Sequence, residues 1–333
     1  MRRPARGCMM AAGSGSSAAV IPMFRFTLLF TLLAVSACAQ IRVGIAGTDT
    51  SHVPAFTSML NDPAHKDHIP GARVVAAFKG GSPDLPSSWD RVEKYAGEIR
   101  SKWGVEIVPD IPTLLSKVDA VLLESVDGRA HLPLFREIVK GGKPVFIDKP
   151  LAASLEDARE IARLAREHKV KWFSTSSLRY GPNMDAIRRP DATGVITWGP
   201  SPIEPSHKLD LSWYGIHAVE MLYALMGPGC VEVTRVHTDG ADVVSGRWKD
   251  GRVGAVRLGR PSSPYGAVVF GPKGVSANAD SLYTGYAPLV REIVKFFQTG
   301  QPPVPEEETL ELFAFLEAAR LSKERGGAPV AVR

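Results

Sequence analysis

Cysteine is almost missing from this chain. Three residues, Cys8, Cys38 and Cys230, occur in 333. Cys8 lies ahead of an export-type apolar run and Cys230 has no evident partner, so no disulfide framework is expected. Charge imbalance is missing too. The net +5 comes largely from Arg2, Arg3, Arg6 and Arg25, since the first 39 residues hold no acid and the remainder carries 36 basic against 35 acidic residues. That balance removes the electrostatic case for a nucleic-acid partner. Beyond residue 39 there is neither an internal repeat nor a low-complexity segment. His52, His131, His217 and Glu220 have ligand chemistry, but no dense ligand spacing joins them, so no metal is expected. What remains is a chain long enough for two domains and a large core.

Residues 1–39 read as an export leader: Arg25, then FTLLFTLLAV from Phe26, then the small residues of SACAQ. The run is too short to span a bilayer as a helix of the mature protein. Met23 would give a leader of normal length, so the chain starts at Met1 or Met23. Cleavage after Ala39 follows the small-x-small pattern of Ala37, Cys38 and Ala39, and implies a periplasmic or secreted protein. Alternatively, Val35 to Cys38 resembles a bacterial lipobox, which would leave Cys38 as a lipid anchor and the only link to a membrane. Arg2 and Arg3 lie far from the apolar run and give little support to a twin-arginine signal.

From Ile41 short apolar runs alternate with helical periods: IRVGIAG, a helix from about Ser51, RVVAAF, a helix around DRVEKYAGEIRSKW, VEIV, a short helix near Ile111, and DAVLLES. A helix around LPLFREIVK, PVFI, the helix SLEDAREIARLAREHK and VKWFSTS continue the pattern. Such alternation builds a doubly wound parallel sheet with helices on both faces, over residues 40–176. Gly104 ends one helix, and Pro112 and Pro133 are placed in first turns. After Arg179 the character changes. Residues 181–206 read as a loop rich in Pro and Gly, followed by the helix SWYGIHAVEMLYALMG and four strand-like runs, with a hairpin at Lys249, Asp250 and Gly251. Two helices close the chain. Residues 177–333 are therefore expected to form an α+β domain with a mainly antiparallel sheet.

FIDKP, residues 146–150, falls where a fifth parallel strand ends and a capped helix begins, with Ser154 and Asp157 at capping-box spacing. Ligands of open α/β sheets bind outside the carboxyl ends of the strands, so Asp148 and Lys149 stand where a cofactor and a substrate would meet. On the helix from Trp213, residues 213, 217 and 220 are spaced to share one face. That face offers a base, His217, with Glu220 as its orienting carboxylate and Trp213 as an aromatic wall.

In these motifs the chain resembles the Gfo/Idh/MocA family, which includes glucose-fructose oxidoreductase and inositol dehydrogenase. Asp148-Lys149-Pro150 is similar to the family's E-K-P, and YGIHAVE at 214–220 to its G-x-H-x-x-D. The glycine turn at Gly47, SVDGRAH at 125–131, Arg179-Tyr180 and the closing helices add to the likeness, which runs from Ile41 almost to Arg333. The resemblance implies a Rossmann domain, a second domain with a larger sheet, and hydride transfer between NAD(P) and a sugar, polyol or related carbonyl. It places Lys149, His217 and Glu220 in catalysis. It places Arg179, Trp213 and Tyr214 with Lys149 and His217 around a carbohydrate-like substrate. Trp213 stands where the family usually has another Asp. An exposed sheet face of the family's kind implies a homo-oligomer.

The cofactor turn departs from pattern. A dinucleotide fingerprint uses three glycines to bring backbone close to the pyrophosphate; here Gly47 is followed by Asp49 and His52 at the second and third positions. Asp49 is expected to turn away and cap the next helix beside Thr50 and Ser51, whose N-terminus would still attract phosphate. Ser125 and Asp148 complete the cofactor residues at the strand ends. The second strand ends in Lys79, Gly80, Gly81 and Ser82, where NAD-preferring folds put an acid. A cation there suits a 2′-phosphate, so NADP and NAD both stand open. Lys79 lies 32 residues after Gly47, against about 20 in the usual unit, and residues 61–72 read as an inserted loop.

Three functions fit these residues. The first is an exported NAD(P)-dependent oxidoreductase of sugars or polyols, with a tightly held and recycled cofactor. The second is redox-neutral, NAD-dependent glycoside cleavage, and the third a carbohydrate-binding protein on a scaffold that has lost its cofactor.

Overall fold

The order of the first six strands decides where any ligand can sit. A computed structural model describes residue 15, residues 40–279 and residues 282–333; the leader and Cys38 lie outside the described residues. Strands β1 (Ile41–Ala46), β2 (Ala72–Phe78), β3 (Glu106–Val108), β4 (Ala120–Leu123), β5 (Val145–Ile147) and β6 (Trp172–Ser174) form one parallel sheet in the order β3-β2-β1-β4-β5-β6. The chain runs outward from β1 to β3, returns, and continues from β4 on the other side, so the ends of β1 and β4 border a crevice. β4 and β5 are buried along their whole lengths, as expected of strands covered on both faces.

Helices α1 (His52–Asn61), α2 (Pro86–Trp103), α3 (Ile111–Lys117), α4 (Gly128–Ile138) and α5 (Leu155–Glu167) follow the strands. Local caps set several starts. Asp110 accepts the Thr113 N–H at 2.7 Å, and Ser154 accepts the Asp157 N–H at 3.0 Å. Asp127 accepts the Arg129 N–H and starts α4 at Gly128, earlier than the apolar pattern alone suggests, so Pro133 lies inside that helix rather than in its first turn.

The second sheet has the order β12-β11-β7-β10-β9-β8-β13. It comprises β7 (Gly194–Pro200), β8 (Cys230–His237), β9 (Ala241–Trp248), β10 (Val253–Gly259), β11 (Gly266–Gly271), β12 (Gly274–Asn278) and β13 (Val330–Ala331). Every pairing is antiparallel except β7 with β10. The hairpin at Lys249–Gly251 joins β9 to β10, with Gly251 at φ +90°. Residues 181–206 are not simply a loop. They contain α6 (Pro182–Ile187) and β7, which sits in the middle of the sheet. The flanking glycines and prolines hide the alternation of Val195, Ile196 and Thr197.

One face of this sheet is covered by α7 (Ile216–Met226) and α9 (Glu306–Glu324), which bury Leu222 and Phe315 with Val244 and Val256. The opposite face exposes Val236, Val243, Val253 and Phe270. α8 (Ala287–Thr299) leaves this sheet altogether. Its Leu289, Val290, Ile293 and Phe296 pack with Phe56 of α1 and with Phe146 and Phe173 of the first sheet. Both sheets thus belong to a single packed unit. Among the described residues no helix is long and apolar enough to cross a membrane.

A charge network sits at the β8–β9 end. Arg235, its side chain wholly buried, donates to Asp242 at 2.7 Å and to both oxygens of Asp210; Asp242 also takes Arg260 at 2.6 Å and the His237 ring at 2.7 Å. Removing one member leaves buried charge uncompensated. Asp242→Ala is therefore expected to cost about 3–5 kcal/mol of stability, read as a lower denaturant midpoint. A loss under 1 kcal/mol would show that water or rearrangement replaces the carboxylate.

Candidate active site

A cavity of about 510 Å³ opens at the carboxyl ends of β1, β4 and β5. Its lining includes Thr50, Ser51 and His52 at the start of α1, Val126 after β4, and Lys149 after β5. The far wall holds Trp213, Tyr214, His217 and Tyr265. The strand ends therefore bring Lys149 and His217 into one space, though the two are 68 residues apart in sequence.

Lys149 is aimed by its neighbour. Asp148 is buried under the cavity, accepts the His52 ring nitrogen Nδ1 at 2.6 Å, and accepts the Lys149 backbone N–H at 2.8 Å. Burial would raise this carboxyl, but the His52 partner and the Lys149 charge outweigh it and hold it below the usual range. The Lys149 amine, 5.4 Å from the Tyr214 ring centre, is lowered by burial, partly offset by Asp148.

His217 is held differently from expectation. Its Nδ1 meets the Ser176 hydroxyl at 2.7 Å. Glu220 instead accepts Thr175 at 2.9 Å and Arg179 at 2.8 Å, and Arg179 also pairs with Glu308. Glu220 is therefore not the orienting carboxylate, because a buried guanidinium claims it. Arg179, spent on two carboxylates, borders a different hollow rather than the cavity of Lys149. Helix α7 starts at Ile216, so Trp213 precedes the helix and shares no helical face with His217. It still lines the cavity. The His217 imidazole is pushed well below its ordinary value by burial, and further by the Lys149 and His52 charges. Tyr265 packs edge-on against it at 5.8 Å, seated over Gly199, where a Cβ would lie 2.6 Å from the tyrosine ring.

The cofactor turn is built tightly. Gly47 has φ +93°, and a Cβ there would lie 2.4 Å from Ser125 Oγ, a buried hydroxyl with no partner among the described residues. Asp49 does not cap α1. Its Oδ2 accepts the Ser88 hydroxyl at 2.6 Å and the Val126 N–H at 3.3 Å, while the cap position of α1, Ser51, makes no side-chain cap bond. The leading donors of α1 are already used, His52 N–H by the Thr50 hydroxyl at 3.4 Å and Val53 N–H by the Thr50 carbonyl at 3.2 Å, and Pro54 has none, so an anion here meets the Thr50 and Ser51 hydroxyls rather than free helix N–H groups. A second hollow, about 910 Å³, lies past β2 and β3 and against α4. Lys79 lines it but is paired with Glu93 at 2.6 Å, and Arg129 is paired with Asp84 and Asp127. Among the described residues no cluster of three or more metal-binding side chains occurs.

Ser176, Tyr265, Tyr286 and Arg91 are site residues that sequence reasoning missed. Ser176 follows the end of β6, and the strand-end rule that located Lys149 also applies to it; the others are placed by tertiary packing alone.

Residues 41–176 match the family described as "Oxidoreductase family, NAD-binding Rossmann fold" (GFO_IDH_MocA). That match covers the first domain of the chain, whose parallel sheet is the one described above. An inositol 2-dehydrogenase of Rubrobacter xylanophilus is 31% identical over 160 residues, 47% of this chain and 41% of that protein. The chain therefore matches less than half the length of that curated relative. Two solved structures from Lactobacillus casei share the fold over 88% of this chain. They are a myo-inositol dehydrogenase with NAD(H) and myo-inositol (TM-score 0.68, 18% identity, 97% of that chain) and a scyllo-inositol dehydrogenase with NAD(H) and scyllo-inositol (TM-score 0.68, 17% identity, 99% of that chain). Lys149 and His217 thus stand together in one cavity, while the second fingerprint position, Asp49, is a brace to α2.

Glu124, at the end of β4, is wholly buried with both carboxyl oxygens unpartnered among the described residues. Burial, with the Asp148 and Asp49 charges, raises it well above 4.5. A folded value above the unfolded one means the unfolded state sheds its proton first. Stability is therefore lost as pH rises from about 4.5 through the folded value. Glu124→Leu should raise the melting temperature at pH 8 by about 2–4 °C per kcal/mol relieved, with a smaller gain at pH 4. A gain independent of pH would mean that the carboxyl has found a partner.

Proposed function

We propose that this protein is an NAD(H)-dependent oxidoreductase acting on a polyol or sugar-derived hydroxyl or carbonyl. The observation that carries the reading is the meeting of Lys149, His217 and the α1 N-terminus in one cavity. The site fits a dinucleotide by its donors: the hydroxyls of Thr50 and Ser51 at the start of α1, and the Ser125 Oγ at the strand crevice, which has no partner among the described residues. The hollow past β2 has room for the adenosine end. NAD rather than NADP suits this end, because Lys79 and Arg129, the cations lining that hollow among the described residues, already hold carboxylates.

Bound NAD would accept the hydrogen that leaves the alcohol carbon. The chain's own groups handle the oxygen. Lys149 donates to the reacting oxygen and fixes it. With Nδ1 against Ser176, His217 offers Nε2 to the hydroxyl proton. Its lowered basicity keeps the ring neutral, and able to take that proton, at pH values where an ordinary imidazole is already charged. The Ser176 hydroxyl both donates and accepts, so either tautomer is supported, and the reverse reduction can use the same residues. Trp213, Tyr214 and Tyr265 give the substrate apolar walls.

The leader belongs to this proposal. An exported protein, periplasmic, secreted or held by lipid at Cys38, has no free cofactor pool, so the nicotinamide would remain bound and be recycled. The apolar strand face bearing Val236, Val243 and Val253 suits a homo-oligomer.

Lys149→Ala and His217→Ala should each lower turnover roughly 100-fold or more, and the double variant should be little worse than the poorer single. NADH should bind at least about tenfold tighter than NADPH, a difference of roughly 1.4 kcal/mol. Protein that carries no nicotinamide on denaturation and takes up none, yet is stabilised by sugars alone, would replace this reading with a carbohydrate-binding one.

A further inference from the structure

The diphosphate grip of this chain is short of backbone. Of the three fingerprint positions only Gly47 keeps a glycine, with Asp49 and His52 at the others. Asp49 does something else. Its Oδ2 takes the Ser88 hydroxyl at 2.6 Å, and Ser88 Oγ in turn accepts the Ser82 N–H at 2.8 Å. The first turn of α2 is thereby fastened to the phosphate turn. Ser87 and Arg91, four residues apart on α2, line the same cavity as Thr50, Ser51 and Lys149.

Charge pairing singles out Arg91. Lys79 is held by Glu93 and Arg129 by Asp84 and Asp127, while the Lys149 amine, also without an ion pair among the described residues, is the group assigned above to the reacting oxygen. Arg91 makes no ion pair among the described residues, although it is exposed at the cavity rim. A guanidinium offers two parallel donors to a phosphate or carboxylate, so an unpaired one at such a rim is an anion contact in waiting.

We propose that Arg91, with Ser87, holds the diphosphate of the bound dinucleotide, replacing contacts that the fingerprint glycines would have made, and that Asp49 sets this grip by anchoring α2. The inference rests on the cofactor reading given above. The same anion chemistry could be met by the carboxylate of an acidic sugar, so the experiment separates the two sources.

Full-length wild type, Arg91→Ala and Arg91→Lys are titrated with NADH, ADP-ribose and adenosine, following ligand fluorescence or heat. For NADH and ADP-ribose, Arg91→Ala should raise Kd roughly tenfold or more, the scale of one lost charged hydrogen bond. Arg91→Lys should recover part of this loss. Adenosine should bind alike to all three, and the melting temperatures of the ligand-free proteins should agree, since the side chain is exposed. Wild type that binds NADH while Arg91→Ala binds NADH and ADP-ribose equally well overturns the assignment. Weakening confined to a uronic acid added to the NADH complex also overturns it, and moves Arg91 to the substrate side. Wild type that binds neither nucleotide removes the cofactor reading and this grip together.

Discussion

The buried carboxylate of Asp148 joins the two halves of the cofactor crevice. It accepts His52 from the first turn of α1 and the Lys149 N–H from its own strand end, so helix and strand are fixed to one another at the place where Lys149 emerges. A buried carboxylate is costly without partners. Having two, it resists rearrangement, and the direction of the Lys149 side chain follows. The remaining site geometry is built around that direction: Tyr214 beneath the amine, His217 beyond it, and Tyr265 against the histidine.

The electrostatics of the crevice run in two opposed senses. Asp49 and Glu124 in its floor are raised by burial, while Lys149 and His217 in its wall are lowered by burial. Environments that disfavour charge on both acids and bases are found where proton-handling groups are kept close to neutral. Glu124 is the strained member, with no partner for either oxygen among the described residues.

The parallel sheet was legible in the sequence because each of its strands is a short apolar run between helical periods, and the Ser154 cap carries its own chemistry. β7 was not, because its alternation is brief and lies among glycines and prolines. Helix α8 shows periodicity, yet nothing local says that Phe296 will pack edge-on to Phe173 of the first sheet. At the site, the strand-end rule and the lysine and histidine motifs brought out Lys149 and His217. Spacing on a presumed helix gave Glu220 the wrong partner, since i+3 geometry says nothing of an arginine arriving from Arg179. Arg91 stayed hidden for a similar reason: on α2 it reads as part of a solvated face, and only the Asp49 brace turns that face toward the cavity.

The central claim is that the Lys149 charge reaches His217 across the cavity they share. Following the His217 ring by NMR across a pH titration tests this most directly. The account predicts an imidazole that stays neutral well below the ordinary value of about 6.5, and whose titration moves upward in Lys149→Ala as one opposing charge is removed. A ring that titrates at the ordinary value and does not respond to Lys149→Ala would contradict it.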